Sequence, residues 1–187
     1  MWNRADASYH AFSPFYRRYR EAACGLRAAW ARLVEIGQYE YAAYCIPQSA
    51  AYFWTGGEPL LRLEEMLLDH LASALRGRRP NELSFTHHAL QMVQKMLGKR
   101  AHNEPFLLDG RETTETALAQ LLLEANIGFW GHALFNYAQQ YFYFTHDYAS
   151  AVAQHPALER LRKMTASHPL LVTDFYYRSL TLMRALV

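Results

Sequence analysis

The apolar residues Phe15, Tyr19, Ala22, Leu26, Ala29, Leu33 and Ile36 recur every three or four positions without a break. That spacing matches the 3.6-residue helical turn and puts them all on one side, so the segment must bury a stripe against other helices. Ser13 is placed to cap its start, Pro14 suits the first helical position because its missing N–H would go unpaired there anyway, and Gly37 supplies the stop. The opposite side carries Arg17, Arg18, Arg20, Arg27, Arg32 and Glu35, a solvated face.

The pattern repeats along the chain. A second helix is predicted from Tyr39 to Trp54, burying Ala42, Ile46, Ala50 and Phe53, with Gly56-Gly57 closing it and Pro47 kinking or breaking it. A third opens near Pro59 and buries Leu60, Leu63, Leu67, Leu71 and Ala74, leaving Arg62, Glu64, Glu65, Asp69 and Arg76 to solvent. Asn81 caps a fourth, with Phe85, Ala89, Met92 or Val93, and Met96 inward and Gly98 as its terminator. After an irregular stretch from Lys99 to Gly110 come a fifth helix, Glu112 to Ala125, and a sixth, Ile127 to Phe144, with Ile127, Trp130, Leu134, Ala138 and Tyr141 on one stripe. A seventh runs from Asp147 to about Ser167 with Pro156 bending or dividing it, and the last starts at His168-Pro169 and buries Leu171, Phe175, Leu182 and Leu186.

Short connections between successive helices favour antiparallel hairpins over a bundle with long crossovers. Tyr141 to Phe144 is the one aromatic run with β character, and it ends a longer helical pattern. The fold class expected is therefore all-α, helical hairpins stacked as an irregular α–α superhelix. Residues 1–13 read as a tail or a remnant of added sequence, and 14–187 as a single repeat domain. The ending at Met183 to Val187, inside a helix and without a cap, suggests a piece of a longer chain.

With 187 residues and 51% apolar content, the chain can bury such a core without disulfides or metals. A formal charge of +2 is too small to call for nucleic acid. No secretory segment and no apolar run of about 18 residues is present, so neither export nor membrane insertion is expected. Cys24 and Cys45 match no zinc or redox spacing, which points to packing roles in a reducing cytoplasm.

Internal repetition is visible but degenerate. Gly37-Gln38-Tyr39 with Ala42, and His146-Asp147-Tyr148 with Ala151, resemble the Gly-Asp-Tyr-x-x-Ala turn between the two helices of a tetratricopeptide repeat. Phe53-Trp54-Thr55-Gly56-Gly57 is a weaker third instance, Gln139 stands where the consensus has glycine, and the spacing departs from about 34 residues. From about Leu33 onward, the strings EIGQYEYAAYCIPQSAAYFWTGGEPLLRLEEML, LLLEANIGFWGHALFNYAQQYFYFTHDYASAVAQ and TDFYYRSLTLMRAL resemble the helical region of large bacterial signalling proteins. In that family a signal-transduction NTPase, often preceded by a kinase-like domain, is followed by helical repeats and then by sensor and histidine-kinase modules. The resemblance implies a regulatory spacer whose partners are proteins or flanking domains, with self-association left open. The family's nucleotide chemistry lies elsewhere: this chain has no Walker loop, since Gly98-Lys99-Arg100 lacks the preceding glycine and the hydroxyl residue, and it has no G-x-G-x-x-G.

Several residues bear on a catalytic reading. His87-His88, His132, His146-Asp147 and Asp174 follow an order reminiscent of metal-dependent phosphohydrolases, but the spacing is loose and no Glu-x-x-His pair accompanies it. Neither cysteine adjoins a base or an oxyanion loop, and no G-x-S-x-G elbow exists. The arginines of the first helix, with Arg76, Arg78 and Arg79, could form a strip for an acidic partner, though solvated faces explain them more simply. The feature expected to carry function is the aromatic content, because stacked hairpins make a groove in which exposed aromatics grip peptides. Tyr41, Tyr44, Tyr52, Tyr137 and Tyr143 fall off or at the edge of the buried stripes and are the candidate partner-binding residues. The expected function is a non-catalytic interaction and signal-relay module without cofactor or metal. The alternative is a helical metal-dependent hydrolase or small-ligand sensor with a histidine- or aromatic-lined pocket.

Overall fold

A computed structural model describes residues 2–15, 17–77, 80–102, 104, 128–162 and 170–186. Among them the regular structure is entirely helical, as the periodicity requires. The chain divides into two compact units, Met1–His102 and Asn103–Val187. No helix among the described residues is long and apolar enough to cross a membrane. The fifth predicted helix, Glu112 to Ala125, and the expected starts at Ile127 and His168 lie outside the described residues.

The first unit holds α1 (Trp2–Phe12), α2 (Tyr19–Glu35), α3 (Tyr39–Thr55), α4 (Leu60–Arg76) and α5 (Pro80–Met96). Residues expected as a tail thus form a helix that packs on α2 and α3. Its amphipathic signal is slight, and it is held by contacts that sequence spacing does not display. The Asp6 carboxylate pairs with Arg32, the Ala11 carbonyl accepts from the Tyr52 hydroxyl, and the His10 ring lies where a Cβ on Gly25 would come within 2.1 Å. Ser13–Phe15 is a 3-10 turn, and the Ser13 hydroxyl donates to the His10 carbonyl at 3.0 Å, closing α1 rather than capping α2. The stripe Ala22, Leu26, Ala29 and Leu33 is buried, whereas Phe15 and Ile36, beyond the two ends of α2, are exposed.

Helix α3 is the centre of this unit, packed by α1, α2, α4 and α5. Every residue from Cys45 to Phe53 is buried, so the helix is enclosed around its whole circumference there. It continues through Pro47 without interruption. On α4 the apolar stripe is inward from Leu63 to Ala74, but Glu64, expected in solvent, is buried and ion-paired with Lys99 at the end of α5. Burial of that carboxylate is tolerable because its charge is matched. Of the two cysteines, Cys45 is buried and Cys24 is exposed, so only the former packs as expected.

The second unit holds α6 (Gly128–Phe144), α7 (Tyr148–Ala153), α8 (His155–Leu161) and α9 (Leu170–Ala185). The break between α7 and α8 falls at Gln154, beside Pro156, as the proline predicts. Helix α6 is enclosed from Phe135 to Tyr141 by α7, α8 and α9. Helix α9 reverses its expected face: Asp174 and Thr181 are buried, while Phe175, Leu182 and Leu186 are exposed. The physical reason is polar matching, since α6 offers His132, Asn136 and Gln139 to α9 as hydrogen-bonding groups.

Four helix ends share one device. At Gly37, Gly57, Gly98 and His146 the backbone has positive φ, and in each case the next residue's N–H reaches five residues back while the capping residue's own N–H reaches three back. This pair of bonds satisfies the last carbonyls of the helix and reverses the chain. Glycine enters that conformation freely, whereas His146, at φ 61°, does so at a steric cost. The Asp147 carboxylate then accepts the Ser150 N–H at 3.1 Å and caps α7. The His146-Asp147 pair therefore acts as a turn, the role its likeness to Gly-Asp implied.

Candidate functional site

Among the described residues two places hold chemistry beyond packing, and each lies within one unit. The first is a trough between α2 and α4, floored by α3. Arg20 meets Glu58 just before α4, and Trp30 further along α2 meets His70 further along α4. The two helices therefore advance in the same direction, side by side. They do not pack along their lengths, because each packs onto α3. The rings of Trp30 and His70, 4.9 Å apart and edge to face, bridge the gap.

The space left has a volume of about 400 Å³. Its α2 wall is Arg27, Ala28, Trp30 and Ala31, its α4 wall is Met66, Asp69, His70 and Ser73, and Ile46 forms the floor. Residues at i, i+3, i+4 and i+7 share one helix face, which is why 66, 69, 70 and 73 line a single wall. Small side chains at Ala28, Ala31 and Ser73 leave the room. Only Ile46 and His70 are buried; the other lining residues are half-buried or exposed. Arg20 and Arg62 both pair with Glu58 near one end, whereas Arg27 and Asp69 make no ion pair among the described residues.

The second place is a buried polar cluster in the other unit. His132 and Asp174 are both fully buried, and the imidazole Nε2 lies 3.1 Å from the carboxylate Oδ2. Arg162 approaches the same oxygen at 3.4 Å, Gln139 donates to the Asp174 carbonyl at 3.3 Å, and Asn136 donates to the Thr173 hydroxyl at 2.9 Å. The network reaches the surface through Glu159, which accepts from Arg162 at 2.8 Å and from Arg178 at 2.7 Å. Burial, with Arg178 and Arg162 nearby and opposed by Asp174, holds the His155 imidazole below its ordinary range. The cluster joins α6, α8 and α9 by matched charge and hydrogen bonds.

The residues named from sequence are scattered by the fold. Tyr41 and Tyr44 are partly exposed on α3, and the Arg4 guanidinium stands 4.4 Å over the Tyr41 ring. Burial, then Glu40 and Tyr41, push the Tyr44 phenol above its ordinary range. Tyr52 and Tyr137, by contrast, are buried, 1% and 4% exposed. A residue off the main stripe is buried when its helix is enclosed on all sides, as α3 and α6 are. Tyr143 is half-buried among Phe144, Tyr148 and Tyr177. None of the five lines the trough.

The candidate metal set is likewise divided. His132 and His146 stand on and just beyond α6, and fourteen residues of helix put them about 21 Å apart, too far to share an ion. His132 meets Asp174, as their order allowed, while His146-Asp147 forms the exposed turn. Trp30, Met66 and His70 were missed because they flank their stripes, where one helix alone shows no reason to single them out. No family profile, curated protein or solved structure matches this chain.

Proposed function

We propose that this chain is a non-catalytic protein-interaction module that relays signals within a bacterial signal-transduction protein, coupling NTPase and sensor-kinase domains, and that the trough between α2 and α4 is its contact site. The observation that carries the docking site is the gap that α2 and α4 leave between them among the described residues. Two parallel helices held apart over a third leave a slot with an aromatic bridge, an apolar floor and small residues on both walls. A helix with an apolar face fits such a slot by the same ridge-and-groove packing that builds the unit. The relay role and its domains rest on the resemblance to bacterial signalling proteins.

The alternative of a small-ligand sensor draws on the same volume, which lies within the range of ligand pockets. Its lining is mostly open to solvent, however, and a small molecule there would keep much of its surface in water. The hydrolase alternative has less support, because its histidines are separated along α6.

The test is direct binding of the purified chain to the isolated NTPase and sensor-kinase domains of the signalling protein that contains it, compared with the variant Ala31→Trp. Alanine 31 is exposed, so tryptophan fills the slot without disturbing the core. Binding by the native chain and its loss in the variant support the proposal. Equal binding by both removes the trough from it, and no binding by either removes the coupling role.

A further inference from the structure

Of the residues that line the slot, Arg27 and Asp69 are the ones with a formal charge. Arg20 and Arg62 both reach Glu58, at 3.3 Å and 3.1 Å. Arg27 on the α2 wall and Asp69 on the α4 wall remain exposed and make no ion pair among the described residues. The slot is therefore electrically asymmetric across its width, with Arg27 on one side and Asp69 on the other. Apolar contact between them comes from Trp30, Ile46 and Met66.

We infer that the occupant of this trough is an amphipathic helix whose two flanks carry opposite charge, acidic residues facing Arg27 and basic residues facing Asp69, with aliphatic anchors between them over Ile46. This rests on the docking reading above and adds the partner's chemistry and direction. A helix lying in a slot presents one flank to each wall, as the e and g positions of a coiled coil do. With its apolar face turned to the floor, reversing the helix end for end exchanges its flanks. Only one orientation then pairs both charges; the other sets like charges against each wall. Rim charges of this kind select orientation and partner more than they add affinity.

The probes are two fluorescein-labelled helical peptides of about eighteen residues, long enough to span the trough. They share leucine anchors at a and d, and one carries glutamates on the flank that meets α2 and lysines on the other when it runs parallel to α2. The second peptide has the two flanks exchanged and so pairs correctly only when antiparallel. Each bears a nitroxide near its N-terminus, and Ser73→Cys carries a second label, in a background with Cys24→Ser, so that distance reports direction. For the native walls both peptides bind, and they lie in opposite directions. In Arg27→Glu with Asp69→Arg each peptide reverses its direction. A third peptide with lysines on both flanks binds roughly tenfold more weakly than either at low salt, and the difference shrinks as salt rises.

If the three peptides bind equally, or direction ignores the charge exchange, the inference is overturned while docking in the trough stands. If none binds, or Ala31→Trp leaves binding intact, the docking reading itself is overturned and this inference with it. Arg27 and Asp69 are exposed and make no ion pair among the described residues, so the exchanged variant is expected to keep the native melting profile, checked by circular dichroism.

Discussion

Replacing Tyr52 with phenylalanine tests how α1 is held to the first unit. The Tyr52 hydroxyl donates to the Ala11 carbonyl and accepts from the Gln48 side-chain amide at 2.8 Å, with the phenol 1% exposed. Tyr52→Phe keeps the ring and its edge contact with Tyr19 but strips both groups of a partner. A buried polar group left unsatisfied costs about 1–3 kcal/mol. The Gln48 amide already lies 3.4 Å from the Ala11 carbonyl and can take over part of the bond, which places the loss near the low end, about 1–2 kcal/mol. With a urea slope of roughly 1–3 kcal/mol per molar, the midpoint of unfolding falls by about 0.5–1 M. Hydrogen exchange should quicken in α1 first.

The same tyrosine gives an alkaline signature. Burial raises its phenol above the ordinary value in the folded state, so the unfolded chain ionises first as pH rises. Stability from this group is complete below about pH 10 and declines above it, by at most about 1.4 kcal/mol per pH unit. Tyr52→Phe lacks that component, and its midpoint should depend less steeply on pH between 10 and 11. A variant whose midpoint and alkaline slope both match the native protein's would show that the Tyr52 hydroxyl does not hold α1.

Three further outcomes are expected. His146→Gly relieves the positive-φ strain at the α6–α7 turn and should stabilise the protein by about 0.5–1 kcal/mol, whereas Gly37→Ala at the matching turn should cost about 1 kcal/mol; opposite shifts in urea midpoint are the check. Asp174→Ala leaves the buried His132 without its carboxylate partner, while Arg162 keeps Glu159, and should cost about 1–3 kcal/mol; the double variant with His132→Leu should cost less than the sum of the two single changes, read by denaturant unfolding. Because the His155 imidazole is held below its ordinary range when folded, the unfolded state binds the extra proton as pH falls below about 6.5, and stability drops from there downward. In His155→Gln that component is missing, so the fall in urea midpoint between pH 7.5 and 5.5 should be shallower than in the native protein.

Much of the fold was legible in spacing alone. The stripes Ala22 to Leu33 on α2 and Leu63 to Ala74 on α4 are buried as read, and Gly37, Gly57 and Gly98 end helices where glycine predicts. Pro156 divides the α7–α8 segment, and His146-Asp147 turns the chain. These are local matters: a helical period, a cap and a left-handed residue declare themselves within a few positions. Helix α1 was not legible, because its hold on the chain is made with Arg32 and Tyr52, far along the sequence.

What the sequence determined by itself was the helical class, the places where helices stop, and the single faces of α2 and α4, since each follows from backbone geometry and the cost of exposing apolar surface. Tertiary structure decided which helices are enclosed on every side, and that decision moved Tyr52 and Tyr137 from surface candidates to core. It also turned α9 so that Asp174 meets His132 inside, and it set α2 beside α4 without packing them together. The trough of Trp30, His70, Arg27 and Asp69 exists only because α3 supports both walls, and no periodicity along one strand of sequence encodes a space between two helices.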